Sequence, residues 1–408
     1  MKKMPIYFIE KNDKEDEMKK ICVVTATRAE YGVLRLLLEE IEKDKELELC
    51  LVVTGTHLSE SFGRTITEIE QDGFRISEKI KILDSEDSTY GICKTMGVAM
   101  EKFGELFVRQ DPDMLIVVGD RYELIPICSS AMVCGIPIAH ISGGELTEGA
   151  IDDAIRHSVT KMSYLHFPGC EEYRKRIIQL GESPDRVFNY GDIGVENVKK
   201  MNYFSIEELE KDLGISLKEK YSCVTFHPVT LEKHSAKRQT EALIEAMATY
   251  SDIKFIVTLS NADLDGEKIN NMLIHAASEK NNIFCYESLG IRRYLSLVKN
   301  AGFVLGNSSS GIIEVPCFGI PTINIGDRQK GRLRAESVID CEPTYEAITK
   351  SIKLALSEEF RYKAKRASNP YGEGDTSEKI VKTIKQFLYD NKIDLKKSFY
   401  DLEGWENK

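Results

Sequence analysis

The 408-residue chain has no uninterrupted apolar run near the ~18 residues that a membrane-crossing helix needs, so no such helix is expected. It has no Cys-x-x-Cys pair and no cysteine–histidine spacing of the zinc type. Its ten cysteines are scattered, most of them inside apolar runs such as Ile21-Cys22-Val23-Val24. They read as buried free thiols of a reducing compartment, the cytoplasm, and no metal is expected. The Gly-x-Gly-x-x-Gly fingerprint of dinucleotide sites is missing. An excess of positive charge is missing too: 55 Lys and Arg stand against 66 Asp and Glu, a net charge of −11. That argues against a nucleic-acid partner held by broad phosphate neutralisation, though not against a local basic pocket for a phosphorylated ligand. No fixed-period repeat occurs. With 42% hydrophobic and 30% charged residues, the composition is that of an ordinary globular chain, not of collagen, a coiled coil or a disordered tract.

The N-terminal stretch Met1–Lys20 holds an apolar run too short for a signal peptide, followed by a block of charge. Residues 1–19 therefore read as a disordered tail, with Met18 as an alternative start. Beyond it, strand, loop and helix alternate. Strands are predicted at Ile21–Thr25, Leu49–Thr54, Met114–Val118, Pro137–Ile141 and Leu165–Phe167. Helices are predicted at Val33–Lys43, Thr89–Arg109, Tyr122–Cys134 and Ile151–Met162. After a polar stretch around Asn197–Tyr221 the rhythm restarts, with strands at Cys223–Phe226, Phe255–Leu259, Phe303–Leu305 and Thr322–Ile325. Near-continuous apolar strands between helices mean parallel sheets covered on both faces. The fold class is α/β: two doubly wound, Rossmann-like domains facing a cleft. The expected division is 20–200 for the first, 201–375 for the second, and 376–408 for a C-terminal helix and tail returning to brace the first.

Ligands of such sheets bind beyond the carboxyl ends of the strands, so the polar residues at those ends are the candidates. Gly306-Asn307-Ser308-Ser309-Ser310-Gly311 follows a predicted strand and opens a helix near Ile312. Free N–H groups, serine hydroxyls and close glycine backbone suit a phosphate; a bare serine cap would use the same residues. Glu314, on the first turn of that helix, suits ribose hydroxyls or the helix dipole. Arg328 lies in the basic loop Gly326–Arg332, and Arg28 follows the first strand. Both suit a diphosphate. Asp120, Glu145, Asp152 and Asp153 fall at successive strand ends, where carboxylates shift each other's pKa and serve proton transfer. His227 points at the same cleft; His57 is a weaker case, and His166 reads as core.

These residues carry a resemblance. Thr27–Gly32 (TRAEYG), Gly119–Glu123 (GDRYE), His140–Glu145 (HISGGE) and Asp152–Ser163 (DDAIRHSVTKMS) resemble the nucleotide-sugar 2-epimerases, as do FHPVT from Phe226, GNSSSGIIEVP from Gly306 and INIGDRQKGR from Ile323. The chain looks most like the hydrolysing UDP-N-acetylglucosamine 2-epimerases of sialic acid biosynthesis. The match runs from Ile21 to about Lys385. The resemblance implies the glycosyltransferase-B architecture and a nucleotide-sugar substrate. It implies loss of UDP to a 2-acetamidoglucal, then rehydration to N-acetylmannosamine, with no cofactor. By motif match, Asp120, Glu145 and Asp152 are the proton-transfer carboxylates, and His227 serves near the glycosidic oxygen or phosphate. Ser308, Ser309, Arg328 and Arg28 are implied diphosphate ligands, and Glu314 the ribose ligand; Asn261 matches a weaker position. Several relatives carry a glutamate directly before the glycine pair, where this chain has Ser142. A homodimer or homotetramer is implied, and no membrane partner. Alternatives within the class are UDP-N,N'-diacetylbacillosamine or GDP-GlcNAc on the way to legionaminic acid, and a non-hydrolysing 2-epimerase. A glycosyltransferase or a non-catalytic nucleotide-sugar sensor on the same fold are the alternatives outside it.

Overall fold

The computed structural model describes residues 18–402 and 404, apart from 61–62, 85–87, 230, 233–234, 261–264 and 391. Most of the expected N-terminal tail, and Asn261, lie outside the described residues. The first sheet comprises β1 (Lys19–Thr25), β2 (Leu47–Thr54), β3 (Ile76–Ile80), β4 (Met114–Val118), β5 (Ile138–Ile141) and β6 (Leu165–Phe167). The second comprises β7 (Tyr221–Thr225), β8 (Lys254–Thr258), β9 (Ile283–Tyr286), β10 (Phe303–Gly306), β11 (Thr322–Ile325) and β12 (Val338–Cys341). Strand orders are β3-β2-β1-β4-β5-β6 and β12-β11-β10-β7-β8-β9, and every pairing is parallel. The same winding is thus used twice, which is the doubly wound α/β class expected from the sequence.

The central strands β4 and β7 are buried along their whole length, because helices cover both faces. Three edge strands, β3, β9 and β12, were not predicted. β3, the alternating Ile-Ser-Glu-Lys-Ile, and β12, interrupted by Asp340, lack a continuous apolar run, whereas β9 is apolar throughout, Ile283–Tyr286, and partly exposed. The first helix begins at Arg28, five residues before the predicted Val33. A capping box explains this: the Thr27 side chain accepts from the Glu30 N–H, and the Glu30 carboxylate accepts from the Thr27 N–H at 3.1 Å. Arg28 is thereby lifted to the head of a 16-residue helix at the cleft.

The polar stretch after residue 200 holds a helix of its own, Ile206–Leu213, again with a capping box, Ser205 and Glu208, and with Gly214 in the left-handed conformation at its end. The helix Thr376–Tyr389 lies against the first sheet's layer. Its Ile380, Val381, Ile384 and Leu388 join Leu34, Leu38 and Ile41 in one core. Lys385 fixes the contact at Asp44, 2.8 Å away.

Candidate functional site between the two sheets

In each sheet the strand order reverses once, and that is where a doubly wound fold leaves a crevice. Arg28 and Asp120 follow β1 and β4 at the first reversal. His227 and Asn307 follow β7 and β10 at the second. The two reversals face one another. Between them lies an open cavity of about 760 Å³, lined by Arg28, His227, Ser308, Ser309 and Glu314, with Tyr294 and Ile291 on one wall. Five of the nine predicted residues therefore share one cavity. Asp120, Glu145, Asp152 and Arg328 are not among its lining residues; Asp120, Glu145 and Arg328 stand in strand-end loops, and Asp152 heads a helix.

The second sheet's half is organised by Asn307, a buried residue that the sequence motif contained but whose role was not read from it. Its side-chain oxygen accepts from the His227 N–H at 2.7 Å, and its carbonyl takes Gln329 Nε2 at 2.9 Å and Arg328 at 3.1 Å. The His227 ring is set by Ser260, with Nδ1 and Oγ 2.9 Å apart. Gly306 makes this convergence possible: at φ +135°, a Cβ there would stand 1.9 Å from the Thr225 carbonyl oxygen. The predicted helix after the serines is a single turn, Ser310–Ile313, and Glu314 is its C-cap, not a first-turn residue. Burial pushes the Glu314 carboxyl up to about 7, Asp192 adds to this, and the Ser310 hydroxyl opposes it. Arg28 reaches across from the first half and donates to the Leu259 carbonyl at 2.9 Å and to that of Glu287.

In the first half, Asp120 is paired with Arg156, whose guanidinium is fully buried and also donates to the Glu145 carbonyl (3.0 Å) and the Thr147 hydroxyl (3.1 Å). His140 braces the same corner. Its Nε2 lies 2.8 Å from the Gly119 carbonyl, which can only accept, so the proton is on Nε2. Burial holds this imidazole neutral, with its pKa down at about 3. Glu145 is buried and meets Arg332 of the second half at 2.5 Å. Burial raises its carboxyl to about 7, Arg332 pulling the other way and Asp192 adding to the rise. Asp152 starts the helix Asp152–Met162, half-buried, and the neighbouring Asp153 accepts from the Thr147 N–H at 2.6 Å. Carboxyls whose pKa lies near neutrality can both take and give protons at physiological pH.

Arg156, Arg332 and Asp192 were not singled out by sequence reasoning. Arg156 lay inside a quoted motif and Arg332 inside the basic loop. Asp192, the N-cap of the helix Ile193–Lys200, carried only the Gly-Asp signal of a cap. His57 is buried between Thr25 and Thr65 (3.0 and 2.8 Å), and His166 pairs with Glu182 at 3.2 Å in the core. Among the described residues no group of three or more His, Cys, Asp or Glu is arranged to hold a metal ion, and no helix is long and apolar enough to cross a membrane.

The family model described as UDP-N-acetylglucosamine 2-epimerase matches residues 39–385. The chain is 42% identical to a Campylobacter jejuni protein named GDP/UDP-N,N'-diacetylbacillosamine 2-epimerase (hydrolyzing), over 94% of this chain and 99% of that one. It is 40% identical to the Escherichia coli polysialic acid biosynthesis protein P7, over 94% and 98%. In structure it is similar to S. aureus MnaA solved with UDP, with a TM-score of 0.77 at 21% identity, covering 94% of this chain and 100% of that one. The shared fold is the glycosyltransferase-B-like arrangement of two facing α/β units. The chain belongs to the UDP-N-acetylglucosamine 2-epimerase family, and is an enzyme of the nucleotide-sugar 2-epimerase class.

Proposed function

We propose that the chain is a hydrolysing 2-epimerase that converts UDP-N-acetylglucosamine and water to N-acetylmannosamine and UDP, in the formation of sialic-acid-type sugars. The supporting observation is one cleft that joins diphosphate donors from both halves, Arg28 from the first and Ser308 and Ser309 from the second. Glu145, in a strand-end loop of the first half, is a buried carboxyl raised to about 7.

The C2–H of the sugar is a poor acid. Departure of the diphosphate builds oxocarbenium character at C1 and acidifies it, so a carboxylate base suffices. Arg28, Arg328, Ser308 and Ser309 stabilise the charge that develops on the leaving diphosphate, and His227 stands near the bridging oxygen. Glu314 holds the ribose. Asp120, Glu145 and Asp152 take the C2 proton and return one to the opposite face while water adds to C1. A homo-oligomeric, cytoplasmic enzyme belongs to the same proposal.

The test is proton and phosphorus NMR of the enzyme with UDP-GlcNAc in D2O. Free UDP with C2-deuterated N-acetylmannosamine is expected. UDP-N-acetylmannosamine as product would overturn the hydrolytic reading. A second reading is favoured by the name of the C. jejuni relative: the same chemistry on UDP-N,N'-diacetylbacillosamine, or on a GDP sugar. Turnover of those substrates without turnover of UDP-GlcNAc would select it.

A further inference from the structure

Arg332 of the second half meets Glu145 of the first at 2.5 Å. The guanidinium is 8% exposed, yet its Nε and Nη1 have no hydrogen-bond partner among the described residues. One contact does not orient so long a side chain, so the backbone on either side of Arg332 must do it. Before it, the Lys330 carbonyl accepts from the Glu148 N–H at 3.1 Å. Gly331, at φ +91°, lies so close to Leu146 that a Cβ would stand 2.7 Å from that side chain.

After it, Leu333 is held by two buried tyrosines. Its N–H donates to the Tyr173 hydroxyl at 3.0 Å, its carbonyl accepts from the Tyr371 hydroxyl at 3.0 Å, and the two hydroxyl oxygens are 2.8 Å apart. The proton order follows. A carbonyl can only accept, so the Tyr371 proton goes to Leu333, and the Tyr173 proton goes to the Tyr371 oxygen. The hydrogen bonds thus close a ring that starts and ends on Leu333. Burial raises the pKa of both hydroxyls, so the ring keeps its protons throughout the neutral range. Tyr371 lies where the chain returns from the second half to the first. It is fixed in turn by Asn369, which accepts from its N–H at 3.1 Å, and by the Asp192 N–H, which donates to its carbonyl at 2.8 Å.

The helix Glu171–Gln179, which carries Tyr173, also holds the other partner of the ion pair. Arg176, one turn on, donates to the Gly144 carbonyl at 2.6 Å. Gly144, at φ +79°, is packed so closely on the Tyr173 carbonyl that a Cβ has no room there. One helix therefore grips the residue before Glu145 and the residue after Arg332. Core packing alone would not call for the hydroxyls: the rings of Tyr173 and Tyr371 already pack on Val195 and Ile312, and phenylalanine would do the same.

We propose that Tyr173 and Tyr371 are positioning residues: the hydrogen-bonded ring they close around Leu333 holds Arg332 on Glu145 and so fixes where that carboxylate points. Their part in the reaction rests on the proposed epimerase reading. The titratable and charged groups that face Glu145 are Arg332, Asp192, Cys170, Tyr173 and Tyr371, with Arg156 on its carbonyl. Of the groups acting on its carboxyl, Arg332 is the one that opposes the rise caused by burial, so a displaced Arg332 lets Glu145 keep its proton to higher pH.

Tyr173→Phe and Tyr371→Phe keep the rings and break one link each. Each is expected to fold, judged by circular dichroism, with kcat lowered about tenfold or more, KM little altered and the pH profile displaced upward. The deciding measurement uses no substrate. The infrared band of protonated Glu145, assigned with Glu145→Gln, is titrated in wild type, Tyr371→Phe, Arg332→Gln and the double variant. The midpoint is expected to rise in Tyr371→Phe, and to rise no further when Tyr371→Phe is added to Arg332→Gln, because the tyrosine acts only through Arg332. Wild-type midpoints in both phenylalanine variants, or equal shifts with and without Arg332, would overturn the proposal. Should one phenylalanine variant fail to fold, the other carries the same test. The expected midpoints in an enzyme that does not turn over UDP-GlcNAc would fault the epimerase reading and keep the positioning role; unmoved midpoints in an active enzyme would do the reverse.

Discussion

Asn307 holds His227 at both ends of one residue. Its side-chain oxygen accepts from the His227 N–H at 2.7 Å, and its NH2 donates to the His227 carbonyl at 2.8 Å. Two strand ends that are 80 residues apart are thereby tied into one floor for the cavity. Asn307→Asp keeps the acceptor and loses the donor, leaving a buried carbonyl unpaired at a cost of about 1–3 kcal/mol. The expected outcome is a matching loss in urea-unfolding free energy and a fall of kcat/KM beyond what the lost stability explains. Unchanged kinetics would show that the position of His227 does not matter to the reaction.

Arg28 crosses from one half of the molecule to two carbonyls of the other. Charge-assisted hydrogen bonds contribute about 1.5–3 kcal/mol, so Arg28→Ala is expected to weaken UDP binding by roughly 10- to 100-fold. Arg28→Lys recovers only part, since an ammonium cannot offer the planar fork. Isothermal titration with UDP reads this directly, and an unaltered Kd would remove Arg28 from the diphosphate site.

Arg156 is the buried partner of Asp120, and it also holds the loop that carries Glu145. Arg156→Met leaves the carboxylate without compensation, a loss of about 3–5 kcal/mol in comparable buried pairs. Urea unfolding is expected to show that loss, together with near-complete inactivity. A stable but inactive variant would mean that Arg156 acts on the chemistry without supporting the fold.

Glu30, Glu145 and Glu314 all have carboxyls pushed by burial to about 7. Their folded pKa values lie above the unfolded value of about 4.3, so the folded state binds the proton more tightly. The stability they contribute is complete below about 4.3 and is lost as pH rises through 7. Glu182 acts in the opposite sense. Burial pushes it up, but hydrogen bonds from His166, Lys161 and Lys397 outweigh this and hold it at about 2, so its contribution is lost only in strong acid. Histidines that burial holds neutral, such as His140 and His57, act against these glutamates up to about pH 6.5. The Glu145 contribution is therefore read as a difference: the unfolding free energy of Glu145→Gln in urea, relative to wild type, is expected to rise from pH 5 to pH 7.5, and a difference that stays constant across that window would contradict the assignment.

The helix Thr376–Tyr389 buries Ile380, Val381, Ile384 and Leu388 in the first sheet's core. At about 1.5–3 kcal/mol for each large side chain, their combined burial rivals the ~5–15 kcal/mol by which a whole domain is stable. A chain ending at residue 375 is expected not to fold its first half. Ile384→Ala in the full chain is expected to cost about 2–5 kcal/mol. A well-folded truncated protein, judged by circular dichroism and light scattering, would refute the brace.

What the sequence determined by itself was everything written in local pattern. Continuous apolar runs marked the central strands, since a strand covered on both faces must be apolar throughout. Punctuation at the strand ends marked Arg28, His227, Ser308, Ser309 and Glu314, because a doubly wound sheet has its crevice there, and the structure brings these five together. The edge strands β3 and β12 escaped because polar residues break their apolar runs; β9, apolar throughout, was overlooked. The start of the first helix escaped because the Thr27–Glu30 capping box was read as part of a loop motif.

Only the tertiary structure decided which charges meet. Asp120 finds Arg156 across 36 residues, Glu145 finds Arg332 on the other half of the molecule, and Asp192 comes to rest under Ser142. Each residue in isolation reads as a cap or a surface charge. Burial joins them, and burial is set by how two separately wound sheets face one another, which no local spacing records. In water these carboxyls would ionise near their ordinary values; burial raises those of Glu145 and Glu314 to about 7.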